Sequence, residues 1–278
     1  MTATDLTDAK LDPGAVRVLS EMRVPKFLAT RDADGIPNVV PVLSLEAFDE
    51  RTIVFGEMMI WKTRRNLETD PRVSILVLSP DLRTWTIRGR FLEFVRSGPY
   101  YDHVAAKEGA RYNPYGSYRS AGVIEVLGSP RPTRVSQRSL LLDTVRCRLL
   151  ARSLSRDGQM PPTMPVQVEE KFGRLKAAKA LAVVDASGHP DCYPGLPLVT
   201  AGRGHLVFGG AAASDLVTLA PGAAIAAAVL TPEAVAYQVK GTLAGLRRSL
   251  GRTLGVIDVR EAYSACPPLP GQPLPVRI

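Results

Sequence analysis

The chain runs to 278 residues, 45% hydrophobic and 22% charged, a globular composition with room for two domains of ordinary size. No apolar run is long enough to span a bilayer (the alanine-rich stretch 223–230 is far too short), and the N-terminus, with Asp5, Asp8 and Asp12, lacks the basic-then-apolar pattern of a secretory signal. Three scattered cysteines, Cys147, Cys192 and Cys266, make neither a metal-ligand spacing nor a disulfide framework, so a reducing cytoplasm is the expected location.

In chain order, residues 1–12 read as a mobile tail. From 13 to 23 the apolar Val16, Val18, Leu19 and Met22 share one side of a predicted helix. Residues 26–31 form a strand, Asp34-Gly35 the turn of a hairpin, and 39–45 the returning strand, apolar enough to be buried on both sides. A third strand covers 52–56. A short helix is predicted from Trp61 to about Thr69, closed by Asp70-Pro71 because proline cannot continue the helical hydrogen bonds. Strands follow at 72–78 and 85–95, the second with a bulge at Gly89. Residues 99–111 are predicted helical, and an aromatic loop with Tyr112, Tyr115 and Tyr118 leads to a last strand at 121–127.

A helix over 135–154 then links to a proline-rich spacer at 160–165 and a further helix at 168–178. The linking helix carries much of the net charge of +8. Arg131, Arg134, Arg138, Arg146, Arg148, Arg152 and Arg156 face only Asp143 and Asp157. Such a stripe can track a nucleic-acid backbone. No nucleic-acid motif or aromatic stacking platform accompanies it, so it reads as a solvated helix face and a nucleic-acid partner is not expected.

Beyond that helix the pattern starts again. Asp32-Ala33-Asp34-Gly35-Ile36-Pro37 reappears as Asp185-Ala186-Ser187-Gly188-His189-Pro190, and Val54-Phe55-Gly56 as Val207-Phe208-Gly209. Ile87-Arg88-Gly89 matches Val239-Lys240-Gly241, and Gly122-Val123-Ile124-Glu125-Val126 matches Gly255-Val256-Ile257-Asp258-Val259. Four pieces recur in one order, with about twenty residues near 101–120 missing from the second copy, which marks a tandem repeat. Short strands at regular spacing predict that each copy closes as a barrel. The tail 267–278, with Pro267, Pro268, Pro270 and Pro273, is expected to lie extended over a surface.

One constellation carries chemistry. A strand ends at Gly56, a loop follows, and Trp61-Lys62-Thr63 opens a helix whose free N–H groups and positive dipole end suit a phosphate. Arg64 or Arg65 adds charge, depending on the face it occupies. The second copy reads Ser214-Asp215-Leu216 there, an aspartate that would cap a helix start and repel phosphate. His103, His189 and His205 are too scattered for a metal, and no nucleophile elbow, zincin motif or Walker loop is present.

The order of segments resembles the flavin-binding split-barrel family, which includes pyridoxamine-phosphate oxidases and small FMN-binding proteins. The resemblance rests on Phe27-Leu28-Ala29-Thr30, on 35–42, on 52–56, on Lys62-Thr63-Arg64-Arg65-Asn66-Leu67 leading to Asp70-Pro71-Arg72-Val73, and on Ile87-Arg88-Gly89; it extends more weakly to 180–259. It implies a mainly β, α+β fold of two tandem split β-barrels arranged as a pseudo-dimer. The FMN-binding barrel would cover 13–130, a helical linker 131–166, a degenerate second barrel 167–266, and a proline-rich tail 267–278. It also implies an FMN phosphate held by Lys62 and Thr63, and an isoalloxazine against Val40, Pro41, Val42 and Leu43 and against Gly56, Glu57 and Met58. Trp61 would cover the ring or ribityl chain. Arg88 is either a flavin or substrate contact or a surface charge beside the bulge. Tyr237 and Lys240 of the second copy are candidates for the far wall, which another chain could supply instead. The implied activity is FMN-dependent oxidoreduction on a small-molecule substrate. Deazaflavin or heme in the same barrel, or a flavin carrier without turnover, are the alternatives; a homodimer of the fused chain is a further option.

Overall fold

The computed structural model describes residues 9–107, 118–129, 132–157, 161–249, 251–266 and 270–276. The first unit contains α1 (Pro13–Ser20), β1 (Lys26–Arg31), β2 (Pro37–Pro41), β3 (Glu46–Ala47), β4 (Thr52–Gly56), α2 (Trp61–Thr69), β5 (Arg72–Leu78), β6 (Arg83–Val95), α3 (Pro99–Ala105), β7 (Ala121–Gly128) and β8 (Thr133–Arg134). Helix α4 (Gln137–Asp157) leads into the second: α5 (Val166–Gly173), β9 (Ala178–Val184), β10 (Pro190–Pro194), β11 (Leu198–Ala201), β12 (His205–Phe208), α6 (Gly210–Asp215), β13 (Ala224–Leu230), β14 (Ala236–Ser249) and β15 (Arg252–Ser264).

The repeat is visible in the strand order. The first sheet runs β2-β1-β5-β6-β7-β4-β3, with β8 added to β6, and the second runs β10-β9-β13-β14-β15-β12-β11, every pairing antiparallel. The register agrees to the residue. Gly89 lies opposite Val126 directly after a bulge at Arg88, and Gly241 lies opposite Val259 directly after a bulge at Lys240. These are two split barrels, mainly β with peripheral helices.

Close packing explains why certain glycines recur. A Cβ on Gly122 would lie 2.2 Å from the Phe55 ring, and one on Gly255 would lie 2.1 Å from the Phe208 ring. Each ring fills the centre of its own barrel and lies across the paired glycine of the neighbouring strand. Gly122→Ala and Gly255→Ala are each expected to cost about 1–3 kcal/mol through overpacking. A urea titration checks this, and equal midpoints for either variant and the parent would contradict it.

Strand alternation gives each sheet a second buried face, and the two meet there. Phe27, Ala29, Val39, Leu76 and Leu78 of the first barrel pack against Ala180, Ala182, Cys192, Ala226, Ala228, Leu230 and Ala236 of the second. The alanine-rich stretch is thus the edge-free strand β13, whose small side chains let the sheets approach. The polar contacts are reciprocal, as a pseudo-twofold demands. Gln238 Nε2 donates to the Val39 carbonyl at 2.7 Å, while Thr86 Oγ1 donates to the Cys192 carbonyl at 3.4 Å. Lys240 stands 3.6 Å from Asp32, while Arg88 stands 3.1 Å from Asp185. The chain is its own pseudo-dimer.

Several boundaries differ from expectation, with local causes. Helix α1 ends at Ser20 because the buried Lys26 ammonium takes the Leu19 carbonyl and the chain turns extended at Glu21. Strand β2 stops at Pro41, and 42–45 forms a turn whose Leu43 and Leu45 carbonyls also accept from Lys26. Helix α3 closes at Ala105, and residues 108–111 of the predicted helix lie outside the described residues, as do Tyr112 and Tyr115. Helix α5 begins at Val166 and ends at Gly173, five residues before the predicted end, because the chain extends from Arg174 towards β9. Residues 1–8 of the predicted tail, Arg131 of the basic stripe, Met160 of the spacer and the tail prolines Pro267 and Pro268 also lie outside the description. Among the described residues no helix is long and apolar enough to cross a membrane.

Candidate functional site

A cavity of about 270 Å³ lies where the barrels meet, near the lower end for small-molecule sites. One wall is the end of β2 and the turn after it, with Val40, Pro41, Val42 and Leu43. Ser44 ties that turn to the end of β4: its hydroxyl accepts from the Gly56 amide at 3.1 Å and donates to the Gly56 carbonyl at 3.3 Å. The Tyr118 ring lies directly over Gly56, at 2.3 Å from where a Cβ would stand, so only glycine fits there. The loop after β4 supplies Met58 and Met59. The opposite wall comes from the second barrel, with Leu230, Ala234, Ala236 and Gln238, and from the chain after β15, with Ala265, Cys266, Pro270 and Gly271.

At one end of this slot α2 begins. Ile60 precedes it and no side chain caps the start, so its first amides have no capping partner of that kind. Trp61 is 51% exposed at the mouth, with the Arg119 guanidinium 4.8 Å from its ring centre. Thr63 is buried and its hydroxyl accepts from Asn38 at 3.4 Å. Asn38 also donates to Thr30, which accepts from Asn66, and its carbonyl accepts from Gln238 of the second barrel at 3.1 Å. This buried network fixes the Thr63 side chain from behind.

Lys62 carries its ammonium 4.2 Å above the Tyr263 ring centre. Burial, and then the like charge of Lys240, push its pKa down to about 8. The two lysines come from different repeats, and the carboxylates nearby, Asp32 at 3.6 Å from Lys240 and Glu261, offset their repulsion only in part. Such a pair favours a dianion, which relieves the repulsion. Phosphate affinity should therefore fall as pH rises through about 8, where the free site loses its proton, and a bound phosphate should raise that pKa. Titrating inorganic phosphate into the protein between pH 7 and 10 checks this; a flat profile would show that Lys62 takes no part in anion binding.

Residues 15–140 match the family model described as pyridoxamine 5'-phosphate oxidase. The matched stretch spans the first barrel and ends before the second. Among solved structures, HupZ of Group A Streptococcus is 25% identical over 46% of this chain and 95% of its own, with a TM-score of 0.37. An FMN-binding protein from Syntrophomonas wolfei subsp. wolfei is 17% identical over 44% of this chain and 89% of its own, with a TM-score of 0.37. HutZ, the heme storage protein from Vibrio cholerae, is 21% identical over 45% of this chain and 94% of its own, with a TM-score of 0.32. No curated protein matches.

Of the residues singled out in this split barrel, Val40, Pro41, Val42, Leu43, Gly56, Met58, Trp61, Lys62 and Thr63 line one cavity. Glu57 turns away: its carboxylate accepts from Ser120 and, at 2.7 Å, from Arg64. Arg64 is thereby spent on Glu57 and Glu68. Arg88 is not in the cavity wall but in the interface, 2.7 Å from Asp191 and 3.1 Å from Asp185. Tyr237 packs against the core of its own barrel, whereas Lys240 reaches Lys62.

The second copy has a different helix start at the corresponding place. Asp215 ends α6 and stands at the N-cap position of the 3-10 turn Leu216–Thr218 without a side-chain capping bond; α6 itself starts at Gly210 directly after β12, without lysine or threonine. Gln238 and Tyr263 were missed by sequence reasoning, and the tail, expected to lie over a surface, was not assigned to this cavity. Nothing local marks them, since each acts on a partner more than 150 positions away.

Proposed function

We propose that the protein is an FMN-dependent oxidoreductase with one flavin site per chain, gripped by the first barrel and walled by the second. The observation that carries this reading is the meeting of Lys62 and Lys240 beside the uncapped start of α2, at the end of an apolar slot. A dianionic phosphate on a flat ring system fits that donor set. Lys62, Thr63 and Lys240 would hold the phosphate. Val40–Leu43, Gly56 and Met58 would bear on the ring, and Trp61 would shield it from the mouth. When bound, the flavin supplies two-electron transfer. The chain's own contribution is to orient the reactants, and the apolar walls keep water from the slot.

The pseudo-symmetric position supports a single site. There Arg88 takes the place of Lys240, and it is neutralised by Asp185 and Asp191, which stand where the first barrel has Asp32 and Asn38. A carboxylate thus occupies the place an anionic ligand would need. Absorbance of purified protein reconstituted with FMN is expected to show the bands of oxidised flavin at about one per polypeptide. Two per polypeptide, a shorter-wavelength deazaflavin band or a Soret band would each replace this reading. Flavin bound without turnover of any nicotinamide or oxygen couple would make the protein a carrier.

A further inference from the structure

Helix α4 presents a second, unburied apolar stripe to solvent. Its inner side chains join the second barrel: Cys147 and Ala151, with the half-buried Leu150 and Leu154, pack with Val199, Ala201, Val207 and Leu254. Leu141, Leu142, Val145 and Leu149 point outward and are 67%, 56%, 48% and 47% exposed. At helical spacing they fall in a single arc of roughly 120°, and the exposed Arg138, Arg148, Arg152 and Arg156 fall in the same arc. No described residue of that arc is acidic. Asp143 lies on the inner side, where it pairs with Arg146 at 2.8 Å.

We propose that this face is a docking surface for an anionic phospholipid bilayer, on which α4 lies parallel to the plane without crossing it. Four large apolar side chains interleaved with arginines over about 30 Å of helix are the composition that inserts shallowly among headgroups while guanidinium groups reach the phosphates. A second copy of the chain is a poor occupant. Antiparallel pairing centred on Val145 would set Arg138 against Arg152, like charge on like charge. A nucleic acid would engage the arginines but leave the leucines in water. The inference is independent of the flavin site, which lies between the barrels while α4 sits on β11 and β12.

The test is cosedimentation of the full-length protein with vesicles of phosphatidylcholine alone or mixed with phosphatidylglycerol. Binding to the mixed vesicles only is expected, weakened by salt. It should fall at least about tenfold both in Leu141→Ser/Leu149→Ser and in Arg138→Glu/Arg152→Glu. Circular dichroism of each variant separates loss of binding from loss of fold, because these side chains are exposed. The proposal is overturned by absence of binding to anionic vesicles, or by binding that survives the leucine changes. It is also overturned by a wild-type dimer that becomes monomeric in Leu141→Ser/Leu149→Ser. A DNA mobility shift abolished by the arginine changes and kept by the leucine changes would assign the face to nucleic acid instead.

Discussion

Alanine at both Lys62 and Thr63 is expected to release FMN from the purified protein while leaving its thermal transition nearly in place. Each of the two side chains would make a charge-assisted hydrogen bond to phosphate, and such bonds are worth about 1.5–3 kcal/mol each. Their joint loss weakens binding on the order of 10²–10⁴-fold. Lys240→Ala should cost a factor on the order of 10–100 by the same reasoning, although the residue belongs to the other repeat. Fluorescence titration of apo-protein measures all three. Full flavin retention in the double variant would remove the phosphate grip from α2, and retention in Lys240→Ala would remove the second barrel from it. The barrels are not expected to come apart in either variant, because their interface rests on Phe27, Leu76, Leu78 and the alanines of β9 and β13.

The second large effect lies in the core of the first barrel. Lys26 is fully buried, and its ammonium donates to the carbonyls of Leu19, Leu43 and Leu45. It thereby ends α1 and holds the turn that follows β2. Burial pushes its pKa down to about 8 against the opposing field of Glu46. Lys26→Ala would leave three carbonyls without a partner as well as a cavity, a loss on the order of 4 kcal/mol. Urea denaturation reads this directly. A midpoint within experimental error of the parent would show that water substitutes for the ammonium. Because the same turn carries Val42 and Leu43, flavin affinity should fall along with stability, even though Lys26 lies outside the cavity wall. Lys179 occupies the equivalent place in the second barrel but donates to one described carbonyl, that of Leu198 at 2.7 Å, so its truncation should cost less.

Much of this protein is legible in its residues alone. Alternating apolar positions, Asp-Gly and Ser-Gly turns and the Asp70-Pro71 stop locate the strands and α2, since these signals are local and steric. Recurrence of Gly89 as Gly241 and of Gly122 as Gly255 locates the repeat, because each glycine sits at a bulge or beneath a ring where no Cβ fits. Lys62-Thr63 at a helix start is local too, which is why nine of the eleven residues proposed from sequence line one cavity. Only the docking of the two barrels decided the rest. Arg88 and Lys240 occupy the same position in their strands and each keeps one carboxylate, Asp185 or Asp32, yet Arg88 gains Asp191 while Lys240 meets the Lys62 ammonium. A side chain's charge is written in the sequence, but the sign of the field it meets depends on which surface is brought against it. That surface is set by packing between segments far apart in the chain.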